Sequence, residues 1–193
     1  MLKVTEIFHS IQGEGYNTGL PVVFIRLAEC NLSCPFCDTD FRVNFELDEK
    51  EIIEQVKLFN CDNTIITGGE PLLQNLDKLI EELKGIASNI LLETNGTIDT
   101  ELPFDWITIS PKAQVNLKEA DEAKIIVKHS DTIQEVKKKI EEVKEIAPLI
   151  YLQPCWDKDM EITKKNIETC VNYVKEIRGC RLSLQTQKLI GIR

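Results

Sequence analysis

Pro21-Val22-Val23-Phe24-Ile25-Arg26-Leu27 runs almost directly into Cys30-Asn31-Leu32-Ser33-Cys34-Pro35-Phe36-Cys37. The first stretch is short, apolar and rich in β-branched residues, the composition of a strand buried on both faces of a parallel sheet. The second puts three thiols in a C-x3-C-x2-C spacing on the segment that leaves that strand. Working outward, strands are predicted over 63–67, 89–93, 106–110, 123–128, 149–153 and 181–185, with another over 3–8. Between them lie apolar stripes of helical period. These are Ile52-Ile53-Val56-Phe59, Leu72-Leu73-Leu76-Leu79-Ile80-Leu83, Ile133-Val136-Ile140-Val143-Ala147 and Ile167-Cys170-Val171-Val174-Ile177. Asp48 and Asp131 are the expected N-caps of two of these helices. The Lys137-Lys138-Lys139 run reads as a solvated helix face.

Alternation of strand and helix implies an α/β fold with parallel strands and crossover helices. The segments between Glu93 and Trp106 and between Ser110 and Ala123 are too short for full helices. The prediction is therefore a partial, open TIM-like barrel with an incomplete helical shell. Its site lies at the C-terminal ends of the strands, where the chemical motifs fall. The 193 residues suit a single domain, 1–193, large enough to bury a core without disulfides.

Composition narrows the function. The 32 acidic against 23 basic residues leave a formal charge of −9, which argues against a nucleic-acid backbone as partner. No apolar run reaches the ~20 residues that span a bilayer, so no membrane role is expected. The first residues lack a charged region followed by an apolar one, and a cytoplasmic protein is expected. In a reducing compartment, seven cysteines of which three are clustered read as a metal or redox centre before disulfides. Thiolates suit zinc or an iron–sulfur cluster, but structural zinc wants four ligands. The candidates for a fourth, Cys61, Cys155 and His9, sit at no usual finger spacing. A [4Fe-4S] cluster on three thiolates leaves one iron open to chemistry.

Thr67-Gly68-Gly69-Glu70-Pro71 follows the 63–67 strand; its glycines permit close backbone approach, and Pro71 suits a first helical turn. It lacks the Gly-Lys-Ser/Thr ending of a phosphate loop. Ser110-Pro111-Lys112 and Gln153-Pro154-Cys155-Trp156 end two later strands, and Glu93-Thr94-Asn95-Gly96-Thr97 is either a polar turn after a third or a hydrogen-bonding wall of a ligand pocket.

The C-x3-C-x2-C motif, with Phe36 before its third cysteine, together with the Gly-Gly-Glu turn, resembles the radical S-adenosylmethionine (SAM) superfamily. The resemblance implies Cys30, Cys34 and Cys37 as [4Fe-4S] ligands. The open iron holds SAM, whose reductive cleavage yields a 5′-deoxyadenosyl radical that abstracts hydrogen from substrate. It implies a SAM rim of Gly69, Glu70, Ser110, Pro111, Lys112, Gln153, Pro154, Cys155 and Trp156. Ser10-Ile11-Gln12-Gly13-Glu14-Gly15, then Cys37-Asp38-Thr39-Asp40, is similar to the 7-carboxy-7-deazaguanine synthase family. That likeness extends to the tail, where Gln185-Thr186-Gln187-Lys188 has Gln187 in place of a histidine common in the family. It implies conversion of the pterin substrate 6-carboxy-5,6,7,8-tetrahydropterin to 7-carboxy-7-deazaguanine with loss of ammonia, a precursor of queuosine or archaeosine. The implied substrate contacts are Ile11, Gln12, Gly13, Glu14, Arg26 and Thr67, with Thr39 on Mg²⁺. A homodimer and a flavodoxin or ferredoxin-type reductant are also implied. The competing readings are a glycyl-radical-enzyme activating protein, a ferredoxin-like carrier and a zinc-stabilised binding module. His9 and His129 are expected to take no part in catalysis. Cys61, Cys170 and Cys180 are expected to be packed as small apolar residues.

Overall fold

The computed structural model describes residues 1–193. Nine strands form one sheet: β1 (Leu2–Ile11), β2 (Pro21–Leu27), β3 (Phe45–Leu47), β4 (Asn63–Gly68), β5 (Asn89–Thr94), β6 (Trp106–Ile109), β7 (Glu122–Val127), β8 (Leu149–Pro154) and β9 (Cys180–Leu182). Their order is β3-β1-β2-β4-β5-β6-β7-β8-β9, and the two ends do not pair. From β2 to β9 every pairing is parallel. The expected open, partial barrel is present, with a difference at one edge. Strand β1 is antiparallel to both β2 and β3, and β3 belongs to no predicted strand. Strands β1 and β2 are joined by a loop too short for a crossover, so they can only form a hairpin-like pair.

The helices are α1 (Glu49–Lys57), α2 (Asp77–Leu83), α3 (Ile133–Glu141), α4 (Met160–Glu176) and α5 (Thr186–Ile190). No helix connects β5 to β6 or β6 to β7, as the short spacings require. No helix is long and apolar enough to cross a membrane. The Leu72-to-Leu83 stripe does not form one helix. A 3-10 turn covers Pro71–Leu73, and α2 starts only at Asp77. Gln74 interrupts because its side chain is committed elsewhere, bonding the amide and carbonyl of Lys3 at 2.8 and 3.0 Å. Asp48 caps α1 in a reciprocal box with Glu51. Asp131 does not cap α3. Thr132 does, in the same kind of box with Glu135, while Asp131 accepts from the Lys128 amide. Asp48→Ala removes one half of its box and should cost about 1 kcal/mol, read as a lowered urea midpoint at unchanged slope.

Period-two alternation divides the sheet. Val23, Ile25, Leu27, Ile66 and Ile90 pack under α1 and α2, and Ala123, Ile125, Val127, Ile150 and Leu152 under α3 and α4. The opposite face has a small apolar base of Val22, Ile65 and Leu91. Two residues further along each of those strands stand Phe24, Thr67 and Glu93, with Arg26 beyond. The unhelical face therefore turns polar toward the C-terminal strand ends. The sheet's gap is bridged by the 12–20 loop: the Gly15 amide donates to Ser183 Oγ at 2.9 Å, and the Tyr16 amide to Glu122 at 2.8 Å. Gly15 has φ +65°, and a Cβ there would strike the Glu122 carboxylate.

Candidate active site

A cavity of about 340 Å³ opens on the polar face. Most predicted segments reach it because they leave parallel strands at the same end; the 11–14 segment follows the antiparallel β1 and reaches it from the other side. Cys37 and Thr39 line it from the loop after β2, with Arg26 from β2 itself. Thr67 and Gly69 come from the end of β4, Ser110 and Lys112 from the end of β6, and Gln153, Pro154, Cys155 and Trp156 from the end of β8. Ile11, Gln12, Gly13 and Glu14 enter from the hairpin loop. Pro111 lies one step away, in a neighbouring cavity shared with Phe36, Lys112 and Ile126. The strand-end motifs are thus brought to one end, though of the three loop thiols only Cys37 lines the cavity, Cys30 and Cys34 lying outside its lining, and one further side chain is turned aside. Glu70 is fully buried and does not line the cavity. Its carboxylate accepts from Thr94 Oγ1 (2.8 Å), the Asn95 amide (2.8 Å) and the Leu72 amide (3.1 Å).

The glycine turn is held by the chain's own backbone. The Gly69 amide donates to Leu27 O at 3.0 Å and the Glu70 amide to Glu29 O at 2.9 Å. Gly68 has φ +126°, and a Cβ on it would collide with Leu27 backbone. The two motifs are therefore built as one unit, since the turn after β4 grips the segment that leads to Cys30. Asn95 extends that grip, donating to Asn31 Oδ1 at 3.0 Å, and Asn31 donates to Thr97 Oγ1 at 2.8 Å.

Cys30 and Cys34 are partly exposed and Cys37 is exposed. No three His, Cys, Asp or Glu gather about a single ion-sized point. A cubane spreads its irons over separate corners, so three thiols arrayed along one loop are a donor set that suits a cluster. Of the possible fourth ligands, Cys61 lies at the other end of β2, donating to Pro21 O at 3.3 Å. His9 is exposed on β1 beside Phe59. Cys155 is on the rim, with burial pushing its thiol pKa up. Cys170 is buried in the α3–α4 core, its pKa pushed up to about 12 by burial. His129 is bound to Asn166 through both its amide and Nδ1, at 2.6 and 2.8 Å.

The floor contains groups that sequence reasoning missed. Lys124, 2% exposed, places Nζ 2.7 Å from Glu14 and 3.0 Å from Glu93. Burial opposes the Lys124 charge, but the two carboxylates outweigh it and raise its pKa. Burial likewise opposes the charge on Glu14, yet Lys124, Gln185 and Gln153 hold that carboxyl well below the usual carboxylate range. Glu122, also buried, has its pKa raised by burial. The available signal was two charges at alternate positions, Glu122 and Lys124, in a strand otherwise made of Ala123, Ile125, Ile126 and Val127. The tail closes the side: Gln185 and Gln187 donate to Glu14 at 2.9 and 3.0 Å, and Lys188 pairs with Asp38.

The radical SAM superfamily profile matches residues 25–152, a span holding the cysteine loop, the glycine turn and most of the parallel strands. A 7-carboxy-7-deazaguanine synthase of Bacteroides thetaiotaomicron is 40% identical over all of both chains. The chain belongs to the 7-carboxy-7-deazaguanine synthase family of radical SAM enzymes. The 7-carboxy-7-deazaguanine synthase of Haemophilus influenzae is 36% identical, over 98% of this chain and 93% of its own. The crystal structure of QueE from Escherichia coli superposes with a TM-score of 0.73 at 27% identity, covering 96% of this chain and 94% of that one. As a member of this radical SAM family, the chain is an enzyme whose chemistry uses a [4Fe-4S] cluster and SAM.

Proposed function

We infer that this chain converts 6-carboxy-5,6,7,8-tetrahydropterin to 7-carboxy-7-deazaguanine with loss of ammonia, on one domain spanning 1–193. The observation that carries the reading is a cavity that Cys37 of the three-thiol loop shares with a charged, hydrogen-bonding floor, in a chain alike over its whole length to a synthase of that name. Cys30, Cys34 and Cys37 would hold the [4Fe-4S] cluster. When bound, the cluster and SAM supply hydrogen-atom abstraction at C6 of the substrate.

The chain's own residues do the rest. The backbone of Gly69 and Glu70, with Ser110, Pro111, Lys112 and the 153–156 segment, forms a rim that orients SAM. Lys112 lines both cavities and offers a charged donor to its carboxylate or ribose. Ile11, Gln12, Gly13 and Glu14 floor the substrate site, and Thr67 supplies a hydroxyl. Arg26 spends its Nε on Glu6 at 2.8 Å, which leaves the outer nitrogens of its fork for the substrate carboxylate. Thr39 would contact Mg²⁺, a hard cation that prefers oxygen. The electron comes from a flavodoxin or ferredoxin-type protein, the working unit is a homodimer, and the setting is the cytoplasm, where the thiols stay reduced.

Arg26→Lys keeps the charge and loses the fork. It should raise KM for the pterin about tenfold, the cost of roughly one charged hydrogen bond, in steady-state assays with SAM saturating. The deciding experiment is anaerobic reconstitution, reduction, and addition of SAM, Mg²⁺ and the carboxypterin. Formation of 7-carboxy-7-deazaguanine is expected, while SAM cleavage without that product would overturn the substrate.

A further inference from the structure

Glu14 has no acceptor left to give. One oxygen takes Lys124 Nζ and Gln153 Nε2, at 2.7 and 3.0 Å; the other takes Gln185 and Gln187, at 2.9 and 3.0 Å. Two donors on each oxygen fill a carboxylate. Glu93 is built differently. Its Oε1 accepts Lys124 Nζ at 3.0 Å and Gln12 Nε2 at 2.9 Å, but its Oε2 has only the Thr67 hydroxyl at 3.3 Å. Glu93, Thr67 and Lys124 all line the cavity.

We propose that Lys124 is a positioning residue, clamping Glu93 to the saturated anchor Glu14 so that one Glu93 oxygen stays open toward the substrate ring. The proposal rests on the pterin reading above. The clamp works because the two carboxylates come from separate segments, the hairpin loop and β5, and nothing else cationic touches both. Four charged groups share this space with Lys124: Glu14 from the loop, Glu93 from β5, Glu122 from β7 itself and Arg26 from β2. Without the ammonium, three acids would face only Arg26, whose fork is already shared with Glu6. Like-charged carboxylates brought together cannot all stay ionised, so one takes a proton near neutral pH. Glu93 would also lose its fixed geometry. With the clamp in place, the open oxygen is a fixed acceptor suited to ring N–H or amino donors.

Equilibrium binding of the carboxypterin to cluster- and SAM-loaded, unreduced protein tests this without turnover. Lys124→Met should weaken binding about 30-fold, the scale of one lost charge-assisted hydrogen bond to the ligand. It should also add a pH dependence that the wild type lacks, with affinity rising with pH as the crowded floor carboxylates regain their full charge. Lys124→Arg, which keeps the cation, should recover most of the affinity and the flat profile. Should Lys124→Met not fold, Lys124→Met with Glu14→Gln keeps the floor's net charge and is read in its place; Glu93 is still untethered and the same weakening is expected. A purely structural lysine would lower the melting temperature without changing the pH profile. Wild-type binding with a neutral variant that matches it at every pH would overturn the role of Lys124 alone. Failure of the wild type to bind would overturn the pterin reading and the role of Lys124 with it.

Discussion

Cys34→Ala protein, reconstituted without oxygen, is expected to lose its iron and all detectable product formation while keeping its fold. The cysteine loop is gripped by backbone bonds from Gly69 and Glu70 and by Asn95 through Asn31, none of which uses a sulfur atom. Cys34 belongs to neither main core cluster and is partly exposed, so its removal should change stability by no more than about 0.5 kcal/mol. The loss is therefore chemical. Two thiolates leave two irons of a cubane without protein ligands, and the cluster is then released or held without function. Cys30→Ala and Cys37→Ala should behave alike. Cys61→Ala is the control: Cys61 lies at the opposite end of the strand, and the variant should retain a full complement of iron. Iron analysis, visible absorbance and product assays make the comparison. Retained iron and turnover in Cys34→Ala, or iron loss in Cys61→Ala, would contradict the ligand assignment.

The sequence revealed the segments that reach the cavity more readily than it revealed the floor. Cys30, Gly68, Ser110 and Pro154 stand out because unusual residue types interrupt apolar strands, and parallel strands deliver their trailing loops to one end. The missing helices around β6 were legible from spacing alone. Lys124 and Glu93 were harder, since their meaning lies in pairing across 31 positions of sequence, which local periodicity does not report. The break between Leu73 and Asp77 escaped for a related reason. The apolar stripe there is real, as Leu76, Leu79, Ile80 and Leu83 are all buried in one core, yet the tertiary bonds of Gln74 override the helical continuation. Asp131 is a good capping type by itself, yet Thr132 and Glu135 carry the reciprocal pattern. A good capping type one residue early looks equivalent until the backbone says which amides are orphaned. The edge strand β3 is only three residues long, too short for the alternation of Phe45, Glu46 and Leu47 to stand out from a loop, and two of the three are exposed.

Glu70→Ala should unfold the glycine turn's support, at a cost of about 3–5 kcal/mol, because three donors lose a buried charged acceptor at once. The Leu72 amide, the Asn95 amide and the Thr94 hydroxyl have no water to turn to around a fully buried side chain. Glu70→Gln separates shape from charge. One amide oxygen can serve either the Leu72–Thr94 side or the Asn95 side, and the amide NH2 then faces a donor on the other. A loss of about 1–2 kcal/mol follows. The pH dependence of that loss has a definite sign. Burial raises the Glu70 pKa above its ordinary value of 4.5, with the bonds from Asn95, Thr94 and Leu72 pulling it partly back. An acid raised on folding binds more protons folded than unfolded, so its contribution to stability is fully present below the unfolded pKa and is lost as pH rises through the folded one. Glu70→Gln has no such proton to lose. Its deficit against the wild type should be largest in acid and should narrow as pH rises past 4.5 and through the raised folded value. Urea titrations of both proteins across that range provide the measurement. A deficit that widens with pH would mean that the ionised carboxylate is favoured in the fold, and that Glu70 steadies the turn by charge and not by the number of bonds it accepts.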